Sequence, residues 1–450
     1  MKFVLIVALA GLMHAARTFD VGLPGDSAGT TLGFGFLLLT AYFMGRFFKQ
    51  IHLPKLTGYL ATGIIAGPSV LNLVSEPMVQ NLKLVNGVAI SLIALTAGTE
   101  MDLRSMRPLL KTIFWITATA VLGTTAILAL VVFATQGMLP FMANLSPREG
   151  MMAAVVLGVV MVAQSPAVVM ALRDEMRTDG PVSQVVLGVV VIGDLVVISL
   201  FAVSSSLAKA VIDGASSPLE TAGLLAWEIL GSGVAGVVVG FLLSLYLRKV
   251  RRSAGLFLIA LSFVVAEVGQ RLHFDPLLVS LSAGLFIRNI SRIGDELNEQ
   301  IQASSLPVYV LFFAVAGANL HLNVLYTVGV PAILYVGVRG IGLLWGTKLG
   351  AKIARAPEAV QKYAGYGLLP QAGLALALSL MFTKMFPEFG PDAGALTLGV
   401  VALNELVAPI LYRLAILRSG EAGKRDATPA PVILPETGSG LFSVNEPTIK

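Results

Sequence analysis

Cysteine is absent from the 450 residues, and charge is scarce, with Asp, Glu, Lys and Arg together making up 13% of the chain. The first lack removes disulfides, thiolate metal sites, iron–sulfur clusters and a cysteine nucleophile. The second sets the chain apart from soluble proteins, where roughly a quarter of residues are charged. A soluble enzyme or a disordered protein is thereby excluded. Only four histidines occur, His14, His52, His273 and His321, and they lack metal-ligand spacing. A Gly-x-Gly-x-x-Gly does occur at 231–236, but inside an apolar run with no strand before it, so it reads as helix packing rather than phosphate binding. With no triad, metal site or phosphate loop, the sequence points away from an enzyme, and no cofactor is expected.

What is present is apolar. Hydrophobic residues make up 56% of the chain and the mean hydropathy is +0.84. Forty-six glycines and 22 prolines suit a polytopic helical membrane protein, where both are better tolerated than in soluble helices. The net charge is +5, but the basic residues sit in short clusters between apolar runs. Membrane topology explains them, and nucleic acid is not needed as a partner.

A crossing takes about 20 mostly apolar residues. By that measure about thirteen spans are predicted, near 31–48, 55–74, 86–101, 112–134, 149–172, 182–208, 221–247, 254–271, 276–288, 305–320, 325–350, 364–384 and 392–414. Residues 1–16 have a basic start, a short apolar run and small residues after it, so they read as a signal peptide, with an extra span as the rival. The loops alternate in charge. One set carries clusters such as Arg46/Lys49/Lys55, Arg104/Arg107/Lys111 and Arg248/Lys249/Arg251/Arg252, while the other has mostly single basic residues. Basic short loops stay in the cytoplasm, which places the mature N-terminus outside and the C-terminus inside a cell (inner) membrane. The membrane domain is therefore 30–415. Residues 416–450, rich in Pro, Thr, Ser, Gly and charge, read as a short disordered cytoplasmic tail.

An internal repeat runs through these spans. Ala97-Gly98-Thr99-Glu100-Met101-Asp102-Leu103 and Ala316-Gly317-Ala318-Asn319-Leu320-His321-Leu322 share the pattern Ala-Gly-x-(Glu/Asn)-(Met/Leu)-x-Leu, closing spans three and ten. Two spans later in each half a proline interrupts the helix, at Gln164-Ser165-Pro166 and at Pro370-Gln371. Proline removes an amide donor and clashes with the preceding turn, so both helices should break. The offset of seven spans is odd, so related segments cross in opposite directions. Paired interrupted spans in an inverted repeat point to a transporter's midplane binding site.

Ionisable residues inside the membrane are costly, and each is a functional candidate. Asp194 lies mid-span in Val190-Val191-Ile192-Gly193-Asp194-Leu195-Val196-Val197, just after the first broken span. Its carboxylate can hold a proton or a hard monovalent cation, and competition for one site couples two opposite fluxes. Ser165 offers a hydroxyl, Gln164 an amide, and the unwound backbone its carbonyls. A buried Asp capping a broken helix is the structural alternative. Arg339, mid-span in Val336-Gly337-Val338-Arg339-Gly340, must face protein, water or an acid. It either offsets Asp194 or bonds the open carbonyls of the breaks. Gln371, beside Pro370, is a polar lining group. Of the remaining acids, Glu405 follows Asn404 in the repeat counterpart of the Asp194 span and offers a second acid or a packing role. Glu267 lies deep in span eight, where a neighbouring span can pair with it, and Glu100 belongs to an interfacial cluster with Asp102 and Arg104.

At this point the residues resemble a family. Gly58-Tyr59-Leu60-Ala61-Thr62-Gly63-Ile64-Ile65-Ala66-Gly67-Pro68 is similar to the GYLxxGxxxGP signature of monovalent cation:proton antiporters, the branch holding bacterial sodium/proton and potassium-efflux antiporters. The segment 97–103 resembles its AGLELDL stretch, and Leu311-Phe312-Phe313-Ala314-Val315-Ala316-Gly317 its LFFxxxG stretch. The resemblance covers essentially 30–415. It implies an all-α fold of about thirteen transmembrane helices with an inverted repeat and two broken helices. A homodimer is implied too, with a core domain sliding as an elevator against a dimerisation domain. By the same resemblance Asp194 matches the essential aspartate and Arg339 the basic residue on the corresponding helix.

The sequence departs from that pattern at Gly193, where many members carry a second acid, Asn or Gln, and at Gln371 and Ala372, which replace charged residues after the second proline. With one carboxylate, the proton-bound and cation-bound sites carry the same charge, so exchange is expected to be one for one and electroneutral. The function this reading supports is exchange of sodium or potassium for protons. A non-transporting ion or pH sensor on the same fold, and sodium-coupled movement of a small organic anion, are its alternatives.

Overall fold

A computed structural model describes residues 6, 9–14, 29–51, 53–101, 103–212, 218–249, 254–272, 274–291, 307–319, 323–371, 373–386 and 388–427. Among these residues all regular structure is helical. In chain order the principal helices are α1 (Thr30–Gln50), α2 (Lys55–Ala66), α3 (Lys83–Glu100), α4 (Arg107–Ala134), α5 (Pro147–Val162), α6 (Pro166–Met176) and α7 (Pro181–Ile212). They continue with α8 (Pro218–Lys249), α9 (Ala254–Leu272), α10 (Pro276–Ile290), α11 (Pro307–Ala318), α12 (Asn323–Ile353), α13 (Gly373–Met385) and α14 (Gly390–Ser419). Every apolar stretch predicted from the sequence contains one of them.

Among the described residues, six segments are long and apolar enough to cross a membrane by length and composition: Thr30–Gln50, Arg107–Ala134, Pro147–Met176, Pro181–Lys209, Gly329–Ile353 and Gly390–Ser419. Shorter apolar helices accompany them. Helix α2, for example, stops at Ala66, well before the predicted end at 74, because Gly67-Pro68 cannot continue it.

Local chemistry sets many helix starts. Proline occupies the first position of α5, α6, α7, α8 and α10, where its missing N–H costs nothing. Ser146 and Glu149 form a reciprocal capping box at α5, with the Ser146 N–H donating to Glu149 Oε2 at 2.7 Å. Asp275 caps α10 by accepting from the N–H groups of Leu277 at 2.7 Å and Leu278 at 3.1 Å.

Glycine contacts tie α1 and α2 to α11, separately tie α3 and α8–α10 to one another, and join helices of a core bundle; the first two groups are together called the panel. In the panel, a methyl at Gly98 of α3 would overlap the Leu281 carbonyl of α10, and one at Gly317 of α11 would overlap the Leu60 carbonyl of α2. The contacts are reciprocal: Gly284 of α10 meets the Leu95 carbonyl, and Gly63 of α2 meets the Ala314 carbonyl. This panel contains α1–α3 and α8–α11. In the core bundle, Gly158 of α5 lies on Thr125 of α4, and Gly346 of α12 lies on Thr119 and Ala120 of α4. This core bundle contains α4–α7 and α12–α14. Among the described residues no glycine brings a panel helix to such close range of a core helix. Backbone approach of this kind is the usual means of tight helix packing in lipid.

The two reciprocal panel contacts are images of each other. Gly98 and Gly317 are the glycines of the repeated Ala-Gly pattern, and their partners Leu281 and Leu60 sit on α10 and α2. The pairs α3/α10 and α11/α2 are what an inverted repeat produces when each half lends a helix to the other. Within the core, α4 carries a π-helical stretch at Thr117–Leu122, held to α12 by the Thr119 hydroxyl, 2.7 Å from the Gly346 carbonyl.

Order extends past the predicted boundary at 415. Helix α14 runs to Ser419, and the next residues fold back onto the α6–α7 turn. The buried Glu421 carboxylate accepts from the Val182 N–H at 2.7 Å and the Ser183 N–H at 2.9 Å, the free amides that begin α7. Arg425 pairs with Asp174 at 2.9 Å. Residues 416–427 are thus part of the fold, and 428–450 lie outside the described residues. Of the predicted signal segment 1–16, the described part at 9–14 is helical, with Met13 buried.

Candidate functional site

Both predicted breaks are present, and proline sets the first. Pro166 lacks an N–H and its ring would meet the carbonyl four residues back, at Val162, which is where α5 ends. Ala163 is extended at φ −48°, ψ 144°, and Ser165 at φ −133°, ψ 99°. The Ser165 hydroxyl then caps α6, accepting from the Val168 N–H at 3.3 Å. At the second break a 3-10 helix, Ala364–Leu368, gives way to Leu369, Pro370 and Gln371 before α13 begins.

Carbonyls freed by both breaks meet one side chain. Arg339 of α12 is fully buried, and its Nε donates to the Met161 carbonyl at 2.7 Å. Its Nη1 donates to Leu369 O at 2.7 Å, and Nη2 to Ala163 O at 3.0 Å and Leu368 O at 3.4 Å. Of the two roles open to Arg339 in the sequence, the structure gives it the carbonyls of the breaks. Gln371 adds a second link, its Nε2 donating to Met161 O at 2.8 Å while its Oε1 accepts from Asn404 of α14 at 2.8 Å. The two interrupted helices are therefore stitched together through Arg339, Gln371 and Asn404.

Beside this crossing lies a cavity of about 40 Å³. Its polar wall is Gln164, Ser165 and Asp194 from the core bundle. Its apolar wall is shared: the panel gives Ile90, Ile93, Ala94 and Ala97 of α3, Leu277 and Leu281 of α10 and Phe312 of α11, and the core adds Pro166, Ala167, Val191 and Leu374. The site thus sits on the boundary between the two helix sets. Its volume suits an alkali cation with no more than about three waters, at roughly 10–15 Å³ each.

Asp194 is 1% exposed, and neither carboxylate oxygen has a hydrogen-bond partner. Gln164 is equally buried, and both its amide atoms lack partners. Gly193 leaves room beside the Gln164 amide: a β-carbon there would lie 3.2 Å from Gln164 Oε1, a tight contact. A carboxylate in so dry a place must take up a proton or a cation, since leaving it charged and unpaired costs several kcal/mol or more. The Arg339 guanidinium is committed to carbonyl dipoles and makes no bond to Asp194. Carboxylate, amide oxygen and hydroxyl are hard ligands, the kind that bind hydrated alkali ions in place of water. Among the described residues no group of three or more His, Asp or Glu side chains could hold a metal.

Other candidates fall elsewhere. Glu267 is half exposed near the end of α9 and pairs with Arg271 on its own helix at 2.8 Å. It is not deep and does not reach a neighbouring helix, because α9 turns that face outward and the next turn supplies its cation. Glu405 is buried in α14 with neither oxygen partnered, but does not line the cavity. Glu100 ends α3, and its side chain lies outside the described residues. Asp275 went unnoticed in the sequence. It caps α10 two residues before Leu277, which lines the Asp194 cavity. The Asp-Pro pair at 275–276 marks a helix start, but nothing in the sequence brings that start near Asp194.

Comparison with known proteins gives two findings. A family model described as sodium/hydrogen exchanger, transmembrane, matches residues 4–418. The fold is similar to the sodium proton antiporter MjNhaP1 from Methanocaldococcus jannaschii at pH 8, with TM-score 0.64 and 17% identity over 90% of this chain and 99% of that one. An electron-microscopy map of the same antiporter gives TM-score 0.65 and 17% identity over 89% and 97%. At that identity the likeness carries the fold alone. Among curated proteins, none matches.

Proposed function

The chain belongs to the sodium/hydrogen exchanger family, and from that premise we propose that its membrane cation:proton exchange runs through Asp194. The observation that carries this is the buried carboxylate with no hydrogen-bond partner, facing a cavity beside an unwound helix.

In this reading Asp194 holds either a proton or a sodium or potassium ion, never both. Gln164 Oε1, the Ser165 hydroxyl and the freed carbonyls replace part of the cation's water. Arg339 carries no transported charge. It neutralises the carbonyl dipoles that would otherwise attract a second cation, and it holds the crossing rigid. Because one carboxylate trades one positive charge for another, each cycle moves no net charge. Gly193 removes the side chain that would add a second titrating group at that place.

An elevator motion fits the packing. The core bundle carries every polar group of the site, while the panel offers only apolar side chains to the cavity. Close glycine contacts lie within each set. A boundary without such interlocking can slide, carrying the site from one face of the membrane to the other. The assembly is a homodimer in the cell (inner) membrane, with the basic loops and C-terminus in the cytoplasm.

Proteoliposomes with an internal pH-sensitive dye and an imposed pH gradient test the reading. Sodium or potassium added outside should drive proton flux that Asp194→Asn abolishes and membrane potential leaves unchanged. Flux that survives Asp194→Asn removes this residue from the cycle. A flux that follows the potential overturns electroneutrality. Folded protein inert to every alkali cation supports the sensor.

A further inference from the structure

One acid crosses the boundary between the two sets. Glu175 lies in the last turn of α6, the half-helix that begins at the cavity. Its carboxylate accepts from the Lys55 backbone N–H, at 3.0 Å to Oε1 and 3.1 Å to Oε2. Lys55 is the first residue of α2, a panel helix, and follows Pro54. The first amides of a helix have no partner within it, and the helix dipole leaves them positive. Glu175 supplies the missing acceptor from the other set. Lys55, Arg413 and Lys49 add positive charge around it.

The position gives this bond more than a capping role. Glu175 is fixed within the core bundle, because Asp174 beside it holds Arg425 at 2.9 Å and the Gly423 N–H donates to Met176 O at 2.9 Å. Lys55 is fixed within the panel, because Gly58, one turn on, presses on Gly45 of α1. The bond therefore joins the core bundle to the α1/α2/α11 group of the panel, and it cannot persist if one slides by a helical turn past the other. It also lies at the end of α6 remote from the cavity, on the side of the basic loops.

We propose that Glu175 is a latch: its bond to the start of α2 holds the core bundle against the panel and keeps the Asp194 cavity closed toward the basic-loop side. The latch rests on the reading that the two sets move relative to each other. Opening toward that side breaks the bond, and the positive amide and Lys55 side chain of α2, with Lys49 of α1, draw Glu175 back on return. The structure described above has the bond formed.

Because the chain has no cysteine, a single Ala94→Cys placed in the cavity wall reports access without background. In membrane vesicles of known sidedness, its labelling by a membrane-impermeant maleimide is timed from the basic-loop side. Glu175→Ala should speed labelling about tenfold from that side and slow it from the opposite side, a population shift of about one decade. Glu175→Gln keeps a neutral acceptor and should fall between, and it stands in should the alanine variant fold poorly. Equal labelling rates in the parent and Glu175→Ala, with both proteins folded, overturn the latch. Sodium-driven proton flux in the cysteine-free parent is read alongside. A parent without flux whose Glu175→Ala variant still opens upholds the latch and refutes antiport. A parent with flux whose variant labels unchanged refutes the latch alone.

Discussion

Replacing Arg339 by lysine keeps the buried positive charge and removes the fork that reaches both breaks. The guanidinium donates to Met161 O, Leu369 O, Ala163 O and Leu368 O through three nitrogens pointing to two sides. An ammonium is a point charge that cannot span them. Met161 O keeps a donor in Gln371 Nε2, at 2.8 Å. Leu369 O or Ala163 O then loses its bond, and at times both do. Each buried carbonyl left without a donor costs about 1–3 kcal/mol, so losing one or both costs the crossing about 1–6 kcal/mol. At about 1.4 kcal/mol per decade a mid-range loss lowers the equilibrium constant for the intact crossing by more than tenfold. The assay is paired: thermal unfolding in detergent, and cation-driven proton flux per folded protein in liposomes. Arg339→Lys should unfold earlier and exchange at least tenfold more slowly. Arg339→Met, which also removes the charge facing the dipoles, should be worse in flux. If Arg339→Lys matched the parent in both assays, the four-carbonyl account of the crossing would be wrong, and a simple positive charge would be all that α12 contributes.

Three further outcomes follow from the same geometry. If proton and cation compete for Asp194 alone, a tenfold rise in sodium should move the pH midpoint of exchange about one unit toward acid; pH profiles at two sodium concentrations check this, and a fixed midpoint refutes a shared site. Gly98→Ala forces α3 off the Leu281 carbonyl and should cost about 1–3 kcal/mol in folded stability, whereas Gly123→Ala, with nothing within 4 Å of its added carbon, should be neutral or slightly stabilising. Glu421→Ala removes the acceptor from two amides of α7 and should cost about 1–2 kcal/mol, while Glu267→Ala, an exposed pair with Arg271, should change unfolding by less than about 1 kcal/mol.

The parts of this molecule that a sequence could reveal are those governed by one residue and its immediate neighbours. Apolar length marked the helices, Pro166 and Pro370 marked the breaks, and a lone carboxylate among valines marked Asp194. Partnership across the chain was less legible. Arg339 could be placed mid-helix, but its choice of carbonyls over Asp194 depended on where two distant breaks cross. Glu267 looked deep by count along α9, yet its depth depends on which face that helix turns to neighbours. Asp275 reads as a helix cap and nothing more until α10 is packed against the site. The end of order at 415 was misjudged because the segment after it is polar; Glu421 folds there by serving amides of α7, a debt invisible in its own stretch.

The reciprocal glycine contacts of the panel have a consequence for energetics. A frame in which α3 grips α10 as α11 grips α2 reads almost the same from either side of the membrane, like a palindrome. Such a frame has no built-in sidedness: under the proposed sliding of the core, the two end states would meet similar surroundings and lie close in energy. The direction of rest is then decided by the few residues that spoil the mirror, an aspartate where the other half has Asn404-Glu405, and an acid at the tip of α6. Evolution can retune which way the protein rests, or how fast it turns over, at those positions without rebuilding the frame.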